Sequence, residues 1–187
     1  MNSTASDKPA FRAMKFARER HRNQVRNYTG DGYIIHLNEV AGLVASLAGF
    51  LSPADLEHAL VLAYLHDCVE DQGVTHAELT DDFGRAVADD VLDLSDMETG
   101  NRHERHGATL VRLAAANAPV QTVKCGDILS NTANMHKNDP RYAWIYNHLK
   151  LEVLEVLTKA PVMIRELAIS QCQANIEFLT RAGGHDQ

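Results

Sequence analysis

The stretch SPADLEHALVLAYLHDCVEDQG, residues 52–73, decides how this chain folds. Ser52-Pro53 reads as an N-cap followed by proline at the first helical position, where a missing N–H leaves no bond unmade. Leu56, Leu60, Leu62, Ala63 and Leu65 then make most of the surface apolar, which predicts a central helix from Pro53 to Val69. Gly73 marks its stop. On this apolar helix stand His66, Asp67, Glu70 and Asp71. A helix turns ~100° per residue, so His66 shares a face with Glu70, and Asp67 with Asp71, on adjoining stripes. Carboxylates buried without partners are strongly destabilising, and a divalent cation compensates them most directly. A helix end fraying into solvent is the plainer alternative. One imidazole and three carboxylates in so apolar a setting favour the cation.

Outward from this segment the same period recurs. Toward the N-terminus, Phe11, Met14, Ala17, Arg18, His21 and Val25 give a helix from Pro9 to about Val25. NYTGDG (27–32) is a loop by composition, and a second helix runs from Ile34 to Phe50. Toward the C-terminus, Thr75-His-Ala-Glu78 is a capping-box pattern opening a short fourth helix, and a fifth covers Phe83 to Leu94. Residues 95–106, SDMETGNRHERH, form the longest expected loop. Further helices are predicted near 105–117, 119–136, 139–158 and 161–182, three of them opened by Pro119, Pro140 and Pro161. No alternating strand pattern or internal repeat interrupts the series. The fold class is all-α, a single helical domain of eight or nine helices over residues 9–182, with flexible ends at 1–8 and 183–187.

Composition agrees and narrows the function classes. Of 187 residues, 45% are apolar and 23% charged, which is ordinary globular usage. A net charge of −7 argues against nucleic-acid binding through a basic surface, yet leaves room for a phosphorylated small molecule at a bound cation. Three scattered cysteines (Cys68, Cys125, Cys172) read as reduced thiols. The N-terminus lacks the apolar core of a signal peptide, and no apolar run reaches the ~20 residues of a membrane span. The expectation is a cytoplasmic protein without membrane or nucleic-acid partners. Self-association is left open.

A cation at His66-Asp67 needs further ligands. His36, at the start of the second helix after Tyr33-Ile34-Ile35, and Asp127, in VKCGDILSN (123–131), are the two candidates that fit. Alone, either would be an ordinary hydrogen-bonded residue. Histidines with carboxylates suit manganese, iron, zinc or magnesium, and no thiolate set exists for a structural zinc site.

The ordered pattern His36, His66-Asp67, Asp127 resembles the HD superfamily of metal-dependent phosphohydrolases. FARERHRNQVRNYTGDGYIIHLNEVA (16–41), LAYLHDCVEDQGVTHAELTDDFGRAVADDV (62–91) and VKCGDILSN (123–131) are similar to the hydrolase domain of Rel/Spo homologues, most of all to the stand-alone small alarmone hydrolases. The resemblance covers residues 10–135. It implies that His36, His66, Asp67 and Asp127 hold one divalent ion, manganese, and that Glu70 and Asp71 activate and orient the attacking water. It implies further that Arg26 lies beside the nucleotide base and that Asn131 contacts the nucleotide.

Three departures fall where substrate would be read: Asn27 in place of a second cation after Arg26, Gly32-Tyr33-Ile34-Ile35-His36-Leu37 in place of a proline-flanked segment, and Thr132-Ala133-Asn134-Met135 after Asn131. The implied activity is a 3′-pyrophosphohydrolase of guanosine or adenosine alarmones. The alternatives are an HD phosphatase acting on another nucleotide (a nucleoside monophosphate or a phosphorylated dinucleotide cofactor) and a non-catalytic nucleotide-sensing module. Arg22, Arg102, Arg105, Lys124, Lys137, Arg141 and Lys150 are further candidate cations for an anionic substrate. His103 and His106 read as exposed loop residues, Cys68 and Cys125 as buried fillers, and Tyr142, Trp144 and Tyr146 as either base-stacking or packing residues.

Overall fold

The computed structural model describes residues 8–47, 49–97 and 99–183. The ends expected to be flexible fall, apart from Lys8 and Gly183, outside them. Within them the chain is helical, with one isolated antiparallel bridge between Val25 and Gly32. The helices are α1 (Pro9–Arg20), α2 (Ile34–Leu47), α3 (Pro53–Leu65), α4 (Cys68–Gln72), α5 (His76–Phe83), α6 (Arg85–Leu94), α7 (Arg102–Ala115), α8 (Ala118–Thr132), α9 (Met135–Asn138), α10 (Pro140–Val156) and α11 (Val162–Arg181). Two of the eleven, α4 and α9, are single turns of five and four residues, which leaves the nine longer helices that the periodicity predicts.

Capping chemistry sets most of the boundaries. The Ser52 hydroxyl accepts from the Asp55 N–H at 3.1 Å, Asn117 Oδ1 from Val120 N–H at 3.0 Å and Asp139 Oδ1 from Tyr142 N–H at 3.1 Å, each ahead of a proline in the first turn. These contacts satisfy N–H groups that have no intrahelical partner. Thr75 caps α5 through the Glu78 N–H, but the Glu78 carboxylate pairs with Arg20 instead of returning to the cap. The reciprocal capping box lies elsewhere. Asn101 accepts from the Glu104 N–H at 3.0 Å, and the Glu104 carboxylate accepts from the Asn101 N–H at 2.9 Å. α7 therefore begins inside the stretch expected to be a loop, and only 95–101 connects α6 to it.

Other boundaries need correction too: α2 ends at Leu47 and not Phe50, and the helix expected over 119–136 ends at Thr132, before the separate turn α9. α1 stops at Arg20, short of Val25, because the backbone of Gln24 and Arg26 pairs with Tyr33 and Asp31 across the bridge that closes the 27–32 loop. The central helix ends at Leu65, not Val69. Asp67 adopts φ −99°, ψ 0°, and α4 starts afresh at Cys68 before Gly73 closes it in the left-handed conformation, φ 63°. On an unbroken helix His66 and Asp67 would point ~100° apart. The turn lets both face the same centre.

The core is a layer of α2, α3 and α8 packed on one another, with α1 on the outside of α3 and α11 on the outside of α8. α8 is its axis: every residue from Pro119 to Ser130, and Thr132, is buried. Gly126 allows the close approach of α8 to α2, since a Cβ there would stand 3.3 Å from Val40 Cγ1 and 3.5 Å from Val44 Cγ2. That approach sets Asp127 against the first turn of α2. No helix of the described residues is long and apolar enough to cross a membrane.

Candidate metal centre and the adjoining cleft

His36 comes from the first turn of α2, His66 and Asp67 from the turn between α3 and α4, and Asp127 from the second half of α8. The two Nε2 atoms are 3.4 Å apart. Asp67 Oδ2 lies 3.0 Å from His66 Nε2 and 3.5 Å from His36 Nε2. Asp127 Oδ1 lies 3.5 and 3.8 Å from the His36 and His66 Nε2 atoms. One ligand atom each from His36, His66 and Asp67 falls within 4.8 Å of the other two. Asp127 borders this group, and its oxygens also receive Asn131 Nδ2 at 2.6 Å and Lys124 Nζ at 3.1 Å.

The far sides of the imidazoles fix how the ring nitrogens point. His66 Nδ1 is 3.0 Å from the carbonyl of Ala63, which only accepts, so Nδ1 carries the hydrogen. His36 Nδ1 is 2.8 Å from Ser130 Oγ, whose hydroxyl is given to Glu39 Oε2 at 2.6 Å. Both Nε2 atoms thus face inward with two carboxylates, at a point where the histidines are 1% exposed and Asp127 is 5% exposed.

Burial opposes charge on all four groups, but their mutual attraction outweighs it. It lifts the His66 imidazole to about 10 and raises that of His36. Against the same burial, the imidazoles hold the Asp67 carboxyl well below the ordinary range, and Lys124 together with the imidazoles does so for Asp127. Such a set holds together only with positive charge between its members. Protons on the imidazoles supply it, or a divalent cation of the kind that binds mixed nitrogen and oxygen donors. The residues fit that ion.

Outer contacts hold the donors in place. The Tyr33 hydroxyl donates to Asp67 Oδ2 at 2.6 Å, and its ring stacks on His21 at 5.0 Å between centroids. Burial first, then Asp67, drives the Tyr33 phenol far above its usual range, so it stays a donor. Lys124 is buried, and despite that burial Asp127 keeps its ammonium charged.

Glu70 and Asp71, consecutive on α4, reach different partners. Glu70 Oε2 accepts from the Asp96 N–H at 3.0 Å, in the turn after α6. Burial, with Asp96 and Asp67 nearby, pushes its carboxyl upward. Asp71 Oδ2 accepts from Gln24 Nε2 at 2.7 Å, and the Gln24 carbonyl is fixed in turn by Gln72 and by His21 Nδ1 at 2.7 Å. Asp71 lines a cleft of about 400 Å³ together with Arg26, Asn27, Tyr33, Asn131 and Asn134. Arg26 is its single cation among the described residues. That guanidinium is already engaged, by Glu39 Oε2 at 2.6 Å and the Ser130 carbonyl at 3.2 Å.

Of the residues singled out in the sequence, Arg26, Asp71 and Asn131 share this cleft, and Asn131 also touches the cluster through Asp127. Glu70 sits apart, against the 95–97 turn. Gln24, Glu39, Ser130 and Asp96 gave no sequence signal, because their roles come from partners 13 to 104 positions away. Tyr33 was visible only as an aromatic three positions before His36. The remaining features pair away from the cleft. His103 and His106, expected in an exposed loop, lie on α7, and the half-buried His106 pairs with Glu152 of α10 at 2.8 Å, while Arg22 pairs with Glu19 on the neighbouring turn. All three cysteines are buried, and burial pushes the Cys125 thiol up to about 12. On α10, Tyr142 and Tyr146 approach to 5.6 Å, and Lys150 Nζ lies 4.8 Å from the Tyr146 ring centroid. Burial, then the nearby Lys124, lowers the Lys150 pKa, while Asp127, Asp96 and Glu70 act the other way.

The HD-domain profile matches residues 13–142. A probable GTP pyrophosphokinase of Mycobacterium leprae is 35% identical over 128 residues, 66% of this chain and 15% of that protein. A guanosine-3′,5′-bis(diphosphate) 3′-pyrophosphohydrolase of Aquifex aeolicus is 30% identical over 128 residues, 66% of this chain and 17% of that one. The chain thus spans less than a fifth of the length of these curated relatives. Among solved structures, a metazoan ortholog of SpoT described as hydrolysing ppGpp superposes with a TM-score of 0.73 at 19% identity, covering 98% of both chains. A Listeria monocytogenes protein superposes at 0.64 and 21% identity over 81% of this chain and 99% of its own, and at these identities both likenesses concern the fold. With the profile spanning most of its length and its His-Asp pair drawn into one buried cluster, the chain belongs to the HD-domain family and is related to the hydrolase domain of the SpoT/Rel proteins.

Proposed function

We propose that this chain is a manganese-dependent 3′-pyrophosphohydrolase of guanosine or adenosine alarmones, releasing pyrophosphate and leaving the 5′-phosphorylated nucleoside. The observation that carries this reading is the His36, His66, Asp67 and Asp127 cluster standing beside a polar cleft of about 400 Å³. In it those four residues hold the ion. Bound there, the ion would polarise a phosphoryl oxygen and lower the pKa of a coordinated water.

The protein's own residues do the rest. Asp71, aimed by Gln24, orients the attacking water, and Glu70, with its raised pKa, takes the proton. The water oxygen joins the 3′-linked phosphorus, the bond from that phosphorus to O3′ breaks, and O3′ takes up a proton as pyrophosphate leaves. Arg26 and Asn131 position the nucleoside. Lys124 and Lys150 supply positive charge on the far side of Asp127, which offsets the acidity of the chain as a whole.

One observation keeps a second reading in view. Asn27 lines the cleft where the related hydrolases carry a cation, and Arg26 is already paired with Glu39. A cleft with so little free positive charge also suits a less anionic nucleotide, such as a nucleoside monophosphate. The deciding experiment is a substrate panel in manganese, with guanosine and adenosine 3′-pyrophosphates beside nucleoside monophosphates and phosphorylated dinucleotides. Pyrophosphate release from the alarmones is the expected result. Orthophosphate release from the others alone would overturn the proposal, and binding of every compound with turnover of none would make the chain a sensor.

A further inference from the structure

We propose that Ser130 and Glu39 are positioning residues that join the cleft arginine to the metal-ligand histidine as one hydrogen-bonded chain, Arg26–Glu39–Ser130–His36. This rests on the metal centre of the proposed function and assigns two residues to it that neither the motif nor the ligand set includes. Each link is short. Arg26 Nη1 donates to Glu39 Oε2 at 2.6 Å, Ser130 Oγ donates to the same oxygen at 2.6 Å, and His36 Nδ1 meets Ser130 Oγ at 2.8 Å.

The direction of each bond follows from the donor inventory. A serine hydroxyl has one hydrogen, and a carboxylate can only accept. Glu39 therefore takes the Ser130 hydrogen, Ser130 must accept from His36, and the hydrogen of His36 is held on Nδ1. That leaves His36 Nε2 as the atom facing His66, Asp67 and Asp127. If Ser130 lost its carboxylate partner, its hydroxyl could turn toward Nδ1 and stabilise the opposite tautomer, with the hydrogen on Nε2 inside the cluster.

The links differ in weight. Ser130 is 6% exposed, so its bond to His36 is shielded from water, whereas Glu39 has a side chain 46% exposed. Water can partly replace Glu39 but not Ser130. At the other end, Arg26 Nη2 also reaches the Ser130 carbonyl at 3.2 Å and Oγ at 3.4 Å. Any group that draws the guanidinium into the cleft therefore pulls on the residue that fixes His36.

The test uses the full chain and manganese alone, titrated by the loss of the free-ion paramagnetic resonance signal. Nitrogen-15 correlation spectra of the metal-free protein report the His36 Nδ1–H. We expect Ser130→Ala to weaken manganese binding ~10- to 100-fold, the range for lost outer partners of metal-ligating histidines. Glu39→Gln should weaken it by less, and Ser130→Thr, which keeps the hydroxyl, should restore it. The slowly exchanging Nδ1–H resonance of His36 should disappear in Ser130→Ala, with unchanged circular dichroism. The double variant should bind no more weakly than Ser130→Ala, since both break one chain. Binding within twofold of the parent in both single variants, with the Nδ1–H unchanged, would overturn the proposal. A parent protein that binds manganese but leaves alarmones intact would refute the substrate reading and not this one. If it bound no manganese, the metal centre would fail, and the Nδ1–H resonance would still decide the hydrogen-bond chain.

Discussion

The buried cluster and the cleft beside it are built to different specifications. In the cluster every side chain has an outer partner: Tyr33 for Asp67 and Ser130 for His36 from distant segments, the Ala63 carbonyl for His66 and Lys124 for Asp127 from the same helical turn. The cleft is walled by the 27–32 loop and by amides such as Asn131 and Asn134, several of them open to solvent. Charge balance in a dry interior leaves the cluster almost no tolerance, because one missing partner strands an uncompensated charge. The cleft can change residues cheaply, since water replaces what is lost. Of the positions named above as departures, Asn27, Asn134 and Met135 line this cleft.

The largest contrast should come from the ligands. His66→Ala or Asp127→Ala is expected to abolish bound metal, read by elemental analysis of the purified protein, and with it all turnover. Each also leaves a buried charge unpaired, which destabilises by ~3–5 kcal/mol and is read in denaturant unfolding. Full metal occupancy in either variant would remove that residue from the centre.

Glu70→Ala should separate chemistry from metal binding. It is expected to keep the ion and lower kcat by ~10²- to 10⁴-fold, the usual span for a general base. Unchanged turnover would take Glu70 out of the mechanism.

A pH profile sharpens the same point. Burial raises the Glu70 pKa above the ordinary glutamate range, and only the ionised carboxylate accepts a proton. Activity should therefore be lost as pH falls through that raised value, placing the acid limb of kcat higher than an unperturbed glutamate would. An acid limb at the ordinary glutamate position would assign it to another group.

The smallest effects belong to the cleft. Asn27→Ala is expected to move KM by several-fold, shift the relative rates on guanine and adenine substrates, and leave metal content and kcat near the parent values. A loss of metal in that variant would mean that cleft and cluster are not separable.

Much of the helical series was legible because it depends on local chemistry. The prolines at 53, 119 and 140 and the caps Ser52 and Thr75 act within one turn. The boundaries that failed are those set from a distance. α1 stops early because its next residues pair with the far side of a loop, and α3 breaks where Asp67 is claimed by Tyr33 and His66. The cap at Asn101 is different: it was local, and its Asn-x-x-Glu spacing could have been read.

The sequence by itself determined the class of helical fold and the residues able to hold a metal, because periodicity, caps and donor chemistry are properties of short segments. Tertiary structure alone decided which atoms of those residues face one another. Gly126 lets α8 close on α2, the turn at His66-Asp67 aims two neighbours at one point, and Ser130 sets the face of His36. It also sent Glu70 to Asp96 and Asp71 to Gln24, so that two adjacent acids are held by different parts of the chain. Distance along the chain carries no information about such pairs. Packing density and the cost of an unpaired buried charge select them once the helices have met.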